Sequence, residues 1–218
     1  MKVLTIITSY NRKKELTNLL NSLDQQPTDI IIFDDASDFQ LDRKDFIQFE
    51  NNYGKEYLWL KYKRIFANLK KDYNYYIFIG DDFSIDDNFI LSAVQMWENL
   101  QDSKKICLSL LTDGRVNKPN WTNFKPLIKD EYIQTQWNDL CFICEKEFFN
   151  VDIQQISLKR WQILAKKLDI ELGSGLGGQI SRYYHNLGYN MYHTRKSLVK
   201  HSNSPSKMNP KERLINPL

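Results

Sequence analysis

Short apolar runs rich in β-branched residues recur along the first half of the chain, and segments with helical spacing separate them. VLTIIT (3–8), DIIIFDD (29–35), YYIFI (75–79) and ICLSLL (106–111) read as buried strands. Between them, Leu16, Leu19, Leu20 and Leu23 share one helical face. Leu58, Tyr62, Ile65, Phe66 and Leu69 share another, and Ile90, Ala93, Val94 and Trp97 a third. This alternation predicts an α/β domain with a mostly parallel central sheet flanked by helices. Asn11 stands where it could cap the first helix, and Pro27 where it would end it. Residues 39–50 carry a weaker helical pattern. Ligands of such sheets bind beyond the carboxyl ends of the strands. Tyr10–Asn11, Asp34–Asp35 and Asp81–Asp82 all fall there.

Adjacent carboxylates repel, so a pair is either solvated at a turn or committed to a cation. A lone pair suits a turn. Here two strands end in Asp-Asp, and both open on the same edge of the sheet. Gly80 precedes the second pair and permits close approach of a backbone or ligand. Hard carboxylate oxygens suit Mn²⁺ or Mg²⁺, which complete their coordination with phosphate and water. The residues therefore point to a nucleoside-diphosphate site.

The remaining composition sets limits. A chain of 218 residues holds one large domain, or one domain and an appendage. No apolar run approaches the roughly 20 residues of a membrane span. The first apolar run is interrupted by Thr5, Thr8 and Ser9 and reads as a strand rather than a leader. A net charge of +3 is too small to demand a nucleic-acid partner. The basic residues concentrate in KYKRIFANLKK and TRKSLVKHSNSPSKMNPKER, which suit phosphates, although a solvated helix face explains the first cluster equally well. Cys107, Cys141 and Cys144 are odd in number, which argues against a disulfide framework and for a reducing compartment. Cys141 and Cys144 lie three apart in a strand-like stretch, on opposite faces, which argues against a shared metal or redox role.

The second half is less regular. Residues 112–136 read as a long loop or hairpin, and WNDLCFIC as a strand. Leu158, Trp161, Leu164, Ala165 and Leu168 form a helical stripe. LGSGLGG (172–178) reads as a turn before a helix that carries Ile180, Tyr183, Tyr184 and Leu187 on one face. YNMYHT and SLVKH are short strands, and the tail from Ser202 is polar and proline-containing.

TIITSYNRKKELTNLLNSL, IIIFDDAS and YYIFIGDDFSIDDNFI, in this order and spacing, resemble the nucleotide-binding half of GT-A fold glycosyltransferases, especially family 2. The resemblance is fullest over residues 1–100. It implies one GT-A-like domain, with a nucleotide-binding half (1–111), an acceptor-side half (112–201) and a mobile tail (202–218). It implies that Thr8 and Tyr10 hold the base, Tyr10 by stacking, and that Asp35 accepts a hydrogen bond from it. Arg12 and Lys55 match diphosphate contacts. Gly80-Asp81-Asp82 stands where the family has its D-x-D metal motif, with Ile79 in place of the first Asp. Asp82 is then the metal ligand, with Asp81 on the nucleotide side. His201 resembles a C-terminal histidine that many GT-A enzymes add to the metal or diphosphate. Gly177, Gly178 and Gln179 resemble the loop against the donor sugar and acceptor.

One departure stands out. Inverting members carry an acidic general base near the start of the helix after the glycine loop, where this chain has Gly178 and Gln179. Asp139 is a candidate base from elsewhere; a retaining mechanism is the other way out. The resemblance implies a metal-dependent transferase that uses Mn²⁺ or Mg²⁺ and a UDP-sugar donor. A surface polysaccharide, a protein and modified bases in viral DNA are all open as the acceptor. The basic C-terminal segment and abrupt ending resemble phage-encoded members that modify viral DNA, which would place the enzyme in the host cytoplasm. A nucleotidyltransferase would also pair carboxylates with Mg²⁺, but TSYNRKK lacks the glycine its loop needs. A non-catalytic nucleotide-sugar-binding module is the third reading, kept open by Gln179.

Overall fold

The computed structural model describes residues 1–54, 58–70, 72–112, 127–128, 131–135, 138, 141–151, 176–202 and 207. The elements in order are β1 (Val3–Ser9), α1 (Lys13–Leu23), β2 (Asp29–Asp34), β3 (Phe46–Gln48), α2 (Leu58–Asn68), β4 (Tyr75–Gly80), β5 (Phe83–Ile85), α3 (Phe89–Asn99) and β6 (Lys105–Ser109). They continue with β7 (Tyr132–Thr135), β8 (Phe142–Cys144), a 3-10 turn (Lys146–Asn150), α4 (Leu176–Asn186), β9 (Asn190–Thr194) and β10 (Val199–His201).

Among the described residues, eight strands form one sheet in the order β3-β2-β1-β4-β8-β6-β9-β7. Strands β3, β2, β1 and β4 run parallel, β8 pairs antiparallel with both β4 and β6, β6 pairs parallel with β9, and β7 pairs antiparallel with β9. The sheet is thus mostly parallel, as the strand-helix alternation predicts. β5 and β10 make a separate antiparallel pair.

The pleat sends alternate residues to two apolar layers. Val3 and Ile7 of β1, Ile77 and Ile79 of β4 and Ile143 of β8 pack with α1 and α3. Leu4 and Ile6, Tyr76 and Phe78, and Phe142 pack with α2, the 3-10 turn and α4. All four leucines of α1 and all four apolar residues of the α3 stripe are buried as their spacing requires. Cys141 lies in the first layer and Cys144 in the second, so the C-x-x-C pair is divided by the sheet.

Three local expectations are corrected. Residues 39–50 hold no helix; β3 lies along the open edge of β2, with Ile32, Phe33 and Asp34 opposite Phe46, Ile47 and Gln48. Unpaired strand groups at that edge outbid a weak helical pattern, and Gln48 Nε2 secures the register by donating to Asp34 Oδ1 at 3.1 Å and to the Ser37 carbonyl at 2.9 Å. Asn11 does not cap α1. The N-cap is Arg12, without a side-chain cap bond, and Asn11 sits at φ 50°, a left-handed position Asn tolerates. In α4 the helix begins at Leu176, so Gly177, Gly178 and Gln179 are helical and Leu187 is exposed beyond its end. Buried Leu176, Gly178 and Ile180 press this first turn onto the sheet.

YNMYHT and SLVKH contain β9 and β10. Ile128 and Ile133 form an isolated antiparallel bridge; most of 112–136, and the stripe of 158–168, lie outside the described residues. No described helix is long and apolar enough to cross a membrane.

Burial pushes the Cys107 thiol up to about 12 and raises Cys141 and Cys144 further. All three stay neutral and shielded in the folded state. Titration with a thiol reagent at pH 8 should label none of them in native protein and all three in denaturant; rapid native labelling would contradict the burial.

Candidate active site at the carboxyl edge of the sheet

β1 pairs with β2 on one side and β4 on the other, in a register that sets Ser9 beside Asp34 and Thr8 beside Gly80. The loops after all three strands therefore emerge together. They are also bonded to one another. Asn11 N donates to Ser37 Oγ at 2.7 Å, and Asp38 N donates to Asn11 Oδ1 at 2.9 Å. Ala36 follows Asp35 at φ 62°, a second left-handed non-glycine residue at this edge. Such strain clusters where a loop is held for a purpose.

The four aspartates divide into different duties. Asp34 is fully buried and accepts from Ser37 N at 2.7 Å and Ser37 Oγ at 2.6 Å, so it shapes its own turn. Asp35, 0% exposed, accepts from Tyr53 N at 3.0 Å and Gly54 N at 3.1 Å, which fastens the 53–54 turn to β2. Asp81 accepts from Ser9 Oγ at 2.9 Å and Tyr10 N at 3.0 Å, both on Oδ2. Burial and the neighbouring Asp82 charge push Asp81 up to about 7, against those two bonds and Arg12. Its work is to tie β4 to the exit of β1.

Asp82 turns the other way. Its Oδ2 lies 2.9 Å from Arg12 Nη1 and 3.3 Å from His201 Nε2. Burial raises the Asp82 carboxyl, but the hydrogen bond and charge of His201, with Arg12, outweigh it and hold the group below the usual range. The same hydrogen bond lifts the His201 imidazole above its ordinary value against the effect of burial. Gly80 makes room: a Cβ there would lie 3.0 Å from Asp82 Oδ1.

β10 carries His201 to this point from the far end of the described chain. It pairs with β5, setting His201 opposite Phe83, and the two rings meet edge to face at 5.0 Å. His201 Nδ1 donates to the Ser202 carbonyl at 2.5 Å, and Ser202 N donates to the Asp82 carbonyl at 2.7 Å. A backbone acceptor on Nδ1 fixes the ring and aims Nε2 at Asp82, which is how metal-binding imidazoles are oriented.

Asp82 and His201 offer one carboxylate oxygen and one imidazole nitrogen within 3.3 Å of each other. Among the described residues no three His, Cys, Asp or Glu side chains converge on one point. The pair therefore fits Mn²⁺ or Mg²⁺ taken with diphosphate oxygens and water, which is how these ions bind where the protein supplies one or two ligands.

Thr8, Tyr10, Arg12, Asp35, Asp81, Asp82 and His201 thus gather at one edge. Thr8 and Tyr10 are half-buried there. Gly177, Gly178 and Gln179 lie in the first turn of α4, whereas Lys55 and Asp139 lie outside the described residues. Lys61, the first residue of the basic cluster and there open to reading as a solvated face, is 2% exposed, with Nζ 4.0 Å from Asp35 Oδ2. Burial lowers its pKa, while Asp35, Asp81 and Asp34 pull it back up. A signal was present, because 61 falls between Leu58 and Ile65 on the apolar stripe of α2. Ser9 and Ser202 had no comparable signal.

No protein-family model and no curated protein matches this chain. Solved structures do resemble it. S. aureus TarS 1-349 aligns with a TM-score of 0.56 and 16% identity, over 93% of this chain and 61% of that one. The same TarS segment in complex with UDP gives 0.54 and 17%, over 94% and 61%. A mycobacterial protein gives 0.56 and 12%, over 94% and 68%. The chain thus spans 61% of the TarS segment. At these identities the likeness shows the fold, and the α/β architecture with its mostly parallel sheet is the GT-A fold of TarS.

The Ser9–Asp81 bond yields a stability test. Ser9→Ala removes one of the two hydrogen bonds that Asp81 Oδ2 accepts among the described residues and should cost about 1–2 kcal/mol in denaturant unfolding. An unchanged midpoint would mean that this bond does not hold the edge together.

Proposed function

We propose that this chain is a glycosyltransferase that takes a sugar from a nucleoside-diphosphate donor, with a UDP-sugar as the first choice, and passes it to an acceptor hydroxyl. The observation that carries this reading is the meeting of Asp82, His201 and Arg12 at the strand exits of a GT-A fold. TarS crystallised with UDP on the same fold supports a uridine donor.

In this reading Thr8 and Tyr10 take the nucleoside at the exit of β1. Asp35 holds the adjoining turn, and its remaining lone pairs serve the base. Asp82 and His201 hold the cation, which, when bound, offsets negative charge on the departing diphosphate. Arg12 donates its planar fork to phosphate oxygens, a geometry that favours bidentate contact. Lys55 adds a second cationic contact. The first turn of α4, Gly177 to Gln179, faces the sugar and acceptor. Gln179 cannot accept a proton at neutral pH, so Asp139 is proposed as the base that takes the acceptor hydroxyl proton. Such assistance contributes about 10²–10⁴-fold in rate. A polysaccharide or protein acceptor and a hydroxylated base in DNA are both compatible with this chemistry; a DNA acceptor would add steep salt dependence.

A thermal-shift panel of UDP, GDP, CDP, TDP and ADP, each with and without Mn²⁺, tests the donor site by mass action. UDP with Mn²⁺ should stabilise the protein most, and Asp82→Asn, measured against its own unliganded melting temperature, should lose the Mn²⁺-dependent part of the shift. No shift with any diphosphate would return Asp81–Asp82 to a plain turn. In UDP release from a UDP-sugar, His201→Ala should be slower by about tenfold or more, as loss of an oriented metal-site group implies. A neutral effect would leave His201 as packing against Phe83.

A further inference from the structure

We propose that Arg12 is a displaceable clasp on Asp82, so that a divalent cation gains this carboxylate only when a diphosphate draws the guanidinium away. The inference rests on the cation reading of Asp82 given above and adds an order to the binding events.

The geometry sets the competition. Arg12 Nη1 lies 2.9 Å from Asp82 Oδ2, with the Arg12 side chain 5% exposed and that of Asp82 19% exposed. His201 Nε2 approaches the same oxygen at 3.3 Å. A cation arriving at Oδ2 meets a positive charge that cannot be relieved by losing a proton, because a guanidinium stays charged. The Asp82–Arg12 pair is locally neutral. Asp81, next in the chain, commits Oδ2 to Ser9 and Tyr10, and among the described residues no third His, Cys, Asp or Glu side chain completes a cation site with Asp82 and His201. Little net negative charge therefore faces an incoming cation.

A diphosphate changes both sides of this balance. Its oxygens accept the guanidinium fork in pairs, a better partner than one carboxylate oxygen. It also brings the charge and the oxygen ligands that the two-residue site lacks. Exchange of the Arg12 side chain does not require α1 to unwind, because Arg12 stands at the N-cap position and makes no side-chain cap bond. Asn11 in the left-handed region, bonded to Ser37 and Asp38, fixes the backbone from which the side chain pivots. By linkage, cation and diphosphate then each tighten the other's binding, with Arg12 as the group that has two positions.

The test reads Mn²⁺ binding directly, from the spectrum of free Mn²⁺ by electron paramagnetic resonance, with no turnover involved. Wild type, Arg12→Met and Arg12→Lys are titrated without nucleotide and again with saturating UDP. Arg12→Met should bind Mn²⁺ alone about tenfold or more tightly than wild type, since a fixed charge a few ångströms away is removed. It should also bind UDP more weakly. Arg12→Lys keeps the charge and should stay near wild type with Mn²⁺ alone. Arg12→Gln keeps a donor to Asp82 without charge and replaces Arg12→Met if that variant does not fold. Equal Mn²⁺ affinity in charged and neutral variants would overturn the clasp while leaving Asp82 as a cation site. Absence of Mn²⁺ binding in every protein, even with UDP, would overturn the clasp and the cation reading together.

Discussion

The pairing of β1 with β2 on one flank and β4 on the other is the constraint from which the site follows. Parallel strands bring their carboxyl ends to one edge, so three loops distant in sequence must emerge side by side. Register does the rest: Ser9 beside Asp34 and Thr8 beside Gly80 set the turns close enough to bond directly. Asp81 N donates back to the Thr8 carbonyl at 3.1 Å and Asp35 N to the Ser9 carbonyl at 2.9 Å, so the pairing continues one residue past each strand. A slip of one residue would exchange the two apolar layers and turn Asp82 from its partners.

The edge concentrates buried charge, which needs compensation to be tolerated. Asp34 is compensated by hydrogen bonds from Ser37 in its own turn, and Asp35 by those from the 53–54 turn. The buried Lys61 Nζ lies 4.0 Å from Asp35 Oδ2. Arg12 and His201 answer Asp82. This arrangement separates two adjacent aspartates, one turned to Ser9 and Tyr10 and the other to Arg12 and His201. Asp81 is raised by burial, whereas the His201 hydrogen bond and the Arg12 charge hold the Asp82 carboxyl below its ordinary range against burial. The repulsion expected of Asp81–Asp82 is resolved by orientation as much as by charge.

Much of this was legible because it rests on periodicity. The leucines of α1 and the stripe of α3 needed only their spacing, and each apolar run in the first half became a strand of the central sheet. The paired aspartates, Arg12 and His201 were legible as chemistry, and the fold brought them together. What the sequence concealed depends on contacts distant along the chain. Residues 39–50 became irregular chain and a short strand because the edge of β2 was open, a fact of the sheet rather than of the segment. Asn11 looked like a cap and became a left-handed turn residue because Ser37 and Asp38 claim it. Lys61 was masked by its own charge: a lysine among basic neighbours reads as surface until three aspartates are found beneath it. Ser9 carries no pattern and gains a role only from Asp81 across the strand exit.

The most direct measurement is a crystal grown with UDP and Mn²⁺, with the metal located from its anomalous scattering. A single strong peak in bonding contact with Asp82 and His201 is the expected result, with Arg12 moved from Asp82 onto the diphosphate. A peak elsewhere, or UDP bound away from the exits of β1 and β4, would contradict the assignment of this edge as the donor site.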